Sequence, residues 1–120
     1  MELDQVIQVL YKNKLVESII QFGSSLNRKD FRDIDLCIFT SKRLSLKEKI
    51  RLNREIPEIY DLSFYEDLPL HLKKEVLSKG KIIFTQNYLK VLQEIRIVDL
   101  EYPRFAFFLK EYHQKRMATI

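Results

Sequence analysis

The chain has 120 residues, 46% hydrophobic and 32% charged, with a net charge of +4; that is enough for one hydrophobic core and too little for two ordinary domains. No apolar run approaches the ~20 residues that cross a bilayer, the acids Glu2 and Asp4 do not read as a secretory leader, and the single Cys37 allows no internal disulfide and fits a reducing cytoplasm. Residues 86–120 hold six basic and four acidic residues against fifteen and thirteen before them, so the positive excess is spread, and neither a membrane nor a nucleic acid is the expected partner.

Leu3, Val6, Ile7 and Leu10 recur at helical spacing, which predicts an amphipathic helix over 3–14. Val16 to Phe22 is β-branched and aromatic and ends at Gly23, a strand and its stop. Residues 24–32 are polar and form a turn, and Asp33 to Thr40 is a second strand. Ser45 with Glu48 three residues on is a capping box for a helix running to about Ile56, ahead of Pro57. Glu58 to Tyr65 is a third strand, Pro69 starts a helix that stops at Gly80, and Lys81 to Phe84 is a short fourth strand. Residues 87–101 are helical, Pro103 is expected to break or restart that segment, and a last helix covers about 104–116. This order predicts an α/β (α+β) fold: a mixed sheet of about four strands with helices packed mainly on one face.

Two features carry chemistry. Asp33 and Asp35 interrupt an apolar strand and, by strand alternation, share a face with Cα atoms ~6.6 Å apart, while Ile34, Leu36 and Ile38 face the other way. A third acid, Asp61, lies in Ile59-Tyr60-Asp61-Leu62-Ser63-Phe64, where alternation sends Tyr60, Leu62 and Phe64 to the core side. If that strand pairs beside 33–40, three carboxylates meet and repel by ~3 kcal/mol per pair at ~5 Å and an effective dielectric of ~20. Such hard oxygen ligands select magnesium or manganese over zinc and can hold two ions. The second feature is the turn. Gly23 lets the backbone approach an anion without a Cβ in the way, Ser24 and Ser25 follow it, and Arg28 and Lys29 can neutralise phosphate.

Together Phe22-Gly23-Ser24, then Asp33-Ile34-Asp35-Leu36, then Asp61 resemble the minimal nucleotidyltransferases of the DNA polymerase β-like superfamily. The stretch from Leu68-Pro69 through Gly80-Lys81-Ile82-Ile83-Phe84 resembles the same family's ending, so the likeness covers about residues 5–85. The spacer from Ser24 to Asp33 is shorter than is usual there, and Arg32 stands where many relatives carry Ser. The resemblance implies a nucleotidyltransferase fold, with residues 1–85 as catalytic core and 86–120 as a helical extension. It implies transfer of a nucleoside monophosphate, most simply AMP from ATP, to a hydroxyl. Asp33, Asp35 and Asp61 are then the metal-binding and catalytic acids, and Gly23, Ser24, Ser25 and Arg28 the nucleotide-binding residues.

Minimal members of this family are often antitoxins that adenylylate a HEPN-type ribonuclease toxin, which makes such a toxin the expected partner. The alternatives are a degenerate module that neutralises its partner by contact, and a transferase acting on a small molecule or an RNA end. Tyr102, Phe105, Phe107, Phe108 and Tyr112 crowd eleven residues, which marks either an interface, a second copy of the chain included, or a cover for the open side of the sheet. Cys37 reads as a core residue beside the site, and His71 and His113 as surface residues.

Overall fold

The structure, a computed structural model, describes the backbone of residues 1–23, 26 and 33–118, and the side chains among these through Arg104 and at Lys110. In chain order the elements are α1 (Leu3–Tyr11), β1 (Val16–Phe22), β2 (Ile34–Thr40), α2 (Leu46–Arg54), β3 (Tyr60–Phe64), α3 (Leu70–Lys79), β4 (Lys81–Thr85) and α4 (Tyr88–Ala118), with a 3-10 turn at Tyr65–Asp67. The strands form one sheet in the order β3-β2-β1-β4. β1 runs antiparallel to both β2 and β4, while β2 and β3 are parallel. The mixed four-stranded sheet expected from the sequence is therefore present. Its parallel pair is joined by α2, whose capping box forms as predicted: Ser45 Oγ accepts the Glu48 N–H at 3.2 Å.

Two cores lie on opposite faces. On the first, Leu36, Ile38, Tyr60, Leu62 and Phe64 pack with Val6 and Leu10 of α1 and Leu52 of α2. On the second, Ile20, Cys37 and Phe39 pack with Tyr65, Val76 of α3 and Val91 of α4. The helices thus flank both faces, where the sequence reading placed them mainly on one. The reason is that Ile20, Cys37 and Phe39 are apolar on the side the aspartates share, so that side needs cover beyond its acidic end. Phe39 and Tyr65 stack there with ring centroids 4.2 Å apart.

The second correction concerns Pro103. It does not end a helix; α4 runs unbroken through it for 31 residues, which at 1.5 Å per residue is ~46 Å. The missing N–H removes the bond to the carbonyl of Asp99, but Asp99 and Pro103 are both exposed and water can serve that oxygen. The turn before it is held to α3 as well, by Lys74 Nζ donating to Asp99 Oδ1 at 2.6 Å and lying 5.8 Å from the Tyr102 ring centre.

Gly80 closes α3 for a reason the sequence alone does not show. Its backbone is extended (φ −72°, ψ 162°) rather than left-handed. A Cβ there would strike the Val76 carbonyl oxygen and the Ile20 side chain. Gly80 lets the end of α3 lie directly on β1. Gly80→Ala should therefore destabilise the protein by about 1–3 kcal/mol through overpacking, read as a lower urea midpoint with an unchanged slope.

Candidate active site

Asp35 is the second residue of β2, and it is flanked on both sides. Across the antiparallel ladder it pairs with Phe22, the last residue of β1, and across the parallel ladder with Asp61. Neighbouring strands lie ~4.8 Å apart, so two carboxylates sit side by side with Asp33 two residues ahead. The alternation that buries Leu36, Ile38, Tyr60 and Leu62 on the first face puts all three acids on the second. Asp33 and Asp61 are exposed and Asp35 is half-buried. The register sets Asp35 beside Asp61 at one end of that face.

The chain leaves β1 through Gly23, whose φ of 81° is left-handed, a conformation other residues adopt only with strain. Its carbonyl accepts the Leu26 N–H at 3.3 Å, so the backbone turns at once. A Cβ on Gly23 would run into Asp35 Oδ2 and sit 3.2 Å from Asp35 Cγ. The glycine is thus required twice, once for the turn and once to leave room for the carboxylate beneath it. Ser24, Ser25, Arg28, Lys29 and Arg32 lie outside the described residues.

Electrostatics agree with the geometry. The Asp35 carboxyl is pushed above the usual range, first by burial and then by the neighbouring charges of Asp61 and Asp33. Among the described residues no basic side chain counters those charges, and hard oxygen donors of this kind fit Mg2+ or Mn2+. Among the described residues no three acidic, histidine or cysteine side chains are already gathered about one point.

The other sequence-stated residues fall into place around this. Cys37 is buried and its thiol is pushed up to about 12 by burial, so it is no nucleophile at neutral pH. His71 is exposed. Tyr102 is half-buried against Lys74, while the side chains of Phe105, Phe107, Phe108, Tyr112 and His113 lie outside the described residues. One neighbour escaped the sequence reading: Lys73 of α3, whose Nζ lies 5.0 Å from the Tyr65 ring centre over the same face. Nothing in the local sequence aims it there, because its position depends on how α3 docks. It lines a cavity of about 330 Å³ with Phe39, Thr40, Tyr65 and Lys90, at the end of β2 away from the aspartates.

The pattern of the polymerase beta nucleotidyltransferase family matches residues 4–89, which takes in the turn, all three aspartates and the fourth strand. The chain belongs to that family. Among solved structures, this nucleotidyltransferase is similar to a chain of a mutant MntA–HpeT toxin–antitoxin complex, with a TM-score of 0.82 at 15% identity over 98% of this chain and 99% of that one. A toxin–antitoxin structure with AMP-PNP gives 0.80 at 16% identity, covering 98% and 99%. A complex of a tri-AMPylated HEPN toxin with its MNT antitoxin from Shewanella oneidensis gives 0.72 at 17% identity, covering 95% and 94%. These likenesses establish the minimal nucleotidyltransferase fold. A stretch of 85 residues is also 36% identical to the guanine nucleotide-binding protein alpha-7 subunit of Dictyostelium discoideum, covering 67% of this chain and 22% of that protein. The nucleotidyltransferase spans only about a fifth of that relative's length.

Two outcomes test the site. Gly23→Ala should strain the turn and displace Asp35, lowering stability by more than about 1 kcal/mol and weakening nucleotide binding. For Asp35, the folded pKa lies above the unfolded value of about 3.9, so the ionised group disfavours the native state. Stability is then regained as pH falls through the folded pKa. Asp35→Asn should raise the melting temperature at pH 7 and flatten the acid side of the stability profile.

Proposed function

We propose that the chain is an antitoxin-type adenylyltransferase of the cytoplasm, transferring AMP from ATP to a hydroxyl of a HEPN-type ribonuclease toxin. The observation that carries this reading is Asp35, held half-buried between the left-handed Gly23 turn and the carboxylate of Asp61. Family membership supports nucleotidyl transfer. Similar chains occur in complexes that hold an ATP analogue or an AMPylated HEPN toxin, which supports the nucleotide and the acceptor.

In this reading Asp33, Asp35 and Asp61 would hold one or two Mg2+ or Mn2+ ions, which would supply charge neutralisation to the reacting phosphate. Residues 1–85 form the catalytic core and 86–120 an extension. The Gly23 turn, with Ser24, Ser25 and Arg28, grips the β- and γ-phosphates. Asp61, at the exposed edge strand β3, accepts the proton of the incoming hydroxyl. The acceptor oxygen forms its bond to the α-phosphorus as the bond from that phosphorus to the bridging oxygen breaks. Pyrophosphate leaves with the bonding pair, and the acceptor keeps AMP.

A contact-only antitoxin is the second reading, favoured because no three acidic, histidine or cysteine side chains are gathered about one point among the described residues. One experiment separates the two: incubation with radiolabelled ATP, Mg2+ and the HEPN-type toxin. Adenylyl transfer predicts label on the toxin, reduced at least about 100-fold in Asp35→Asn, the factor that ~2.7 kcal/mol of lost transition-state stabilisation produces. Toxin neutralised equally by Asp35→Asn, with no label in either case, would establish the contact-only reading instead.

A further inference from the structure

The outward face of α2 carries a feature that neither the core nor the active site uses. Leu46 and Ile50, four residues apart, are 74% and 44% exposed. With Lys47, Arg51 and Arg54 they line one open groove of about 590 Å³. These three cations form no ion pair among the described residues, whereas Lys49, which leaves the same helix in another direction, pairs with Glu66 at 3.4 Å and Asp67 at 2.6 Å. An apolar centre rimmed by positive charge is complementary to a protein surface with an apolar centre and an acidic rim. Nucleic acid fits it poorly, since phosphates would leave Leu46 and Ile50 uncovered. A nine-residue helix with two outward apolar side chains is a weak membrane anchor.

The topology links this face to the active site. β2 and β3 are parallel and α2 is the crossover between them, so α2 runs back toward the end of the sheet at which both strands start. Asp33 precedes β2 and Asp61 is the second residue of β3. The C-terminal end of α2, at Arg54, therefore lies at the aspartate end, on the opposite face and beside the edge strand that carries Asp61. A protein laid along α2 can pass around β3 and present a hydroxyl to Asp61.

We propose that α2 is the docking surface for the acceptor protein, and that the acceptor meets it with carboxylates surrounding an apolar side chain. This rests on the transferase reading for the identity of the acceptor, but its test does not. The probe is the HEPN-type toxin, and the readouts are its affinity by calorimetry and its labelling by Mg2+ and ATP. The variants are Lys47→Gln/Arg51→Gln/Arg54→Gln and Leu46→Ser/Ile50→Ser in the full chain, with melting temperatures within about 3 °C of wild type. Each should weaken toxin binding at least tenfold. The charge variant alone should also flatten the salt dependence of the affinity. Labelling at saturating toxin should keep its wild-type rate while the half-saturating toxin concentration rises.

Wild-type toxin affinity in both variants would overturn the docking surface while leaving the transferase standing. So would variants that lose only self-association or only binding to single-stranded RNA. Toxin binding lost in both variants, with no labelling even by wild type, would sustain the docking surface and remove the transferase reading.

Discussion

The parallel pairing of β2 with β3 in a register that sets Asp35 beside Asp61 is the constraint on which the rest of the molecule depends. A shift of one residue would turn Asp61 into the apolar core and bring Tyr60 or Leu62 out. What prevents it is hydrophobic. Leu36, Ile38, Tyr60, Leu62 and Phe64 are all buried on the first face against α1 and α2, and each such side chain contributes about 1.5–3 kcal/mol of burial. The core on one side thus enforces a repulsive arrangement on the other, and the acids stay together because the apolar residues between them have only one place to go.

That arrangement disfavours the fold locally, which is the usual relation between a functional site and its scaffold. The offset is visible nearby. Face two is not left acidic along its length: beyond Asp35 come Cys37 and Phe39, packed under α3 and α4. Lys90 of α4 bonds to Glu17 at 2.9 Å and to the Thr40 carbonyl at 2.6 Å, and its hydrogen bond is the main reason the Glu17 carboxyl is held low. The sheet is therefore locked from its distal end, and the aspartate end is free to carry unbalanced charge. Gly23 and Gly80, the only two glycines, serve this division: one admits a carboxylate under a turn, the other lets α3 close on β1.

Much of this was legible from residue order. Strand alternation through Ile34-Asp35-Leu36 and Tyr60-Asp61-Leu62 separates acid face from core face without any coordinates, and the Ser45–Glu48 box locates α2 because both partners are local. Three things were not legible, all for want of tertiary information. That α3 and α4 cover the acid-bearing face depends on docking. That Pro103 sits inside a helix depends on the exposure of the Asp99 carbonyl and on α3 holding the preceding turn. That Gly80 is needed for space, not for a left-handed cap, depends on Ile20 lying beneath it. Of the site itself, the acids were readable, whereas the collision between a Gly23 Cβ and Asp35 follows only from the antiparallel pairing of Phe22 with Asp35.

Face one is closed by α1 and α2, and face two is closed only as far as α3 and α4 reach, so the aspartate end has no covering element among the described residues. In the proposed reading the acceptor protein covers that end and excludes water from the reacting oxygens. In that arrangement binding energy must come from surfaces away from the chemistry. The outward face of α2 is such a surface, since the crossover that imposes the Asp35–Asp61 register also carries it to the aspartate end of the sheet.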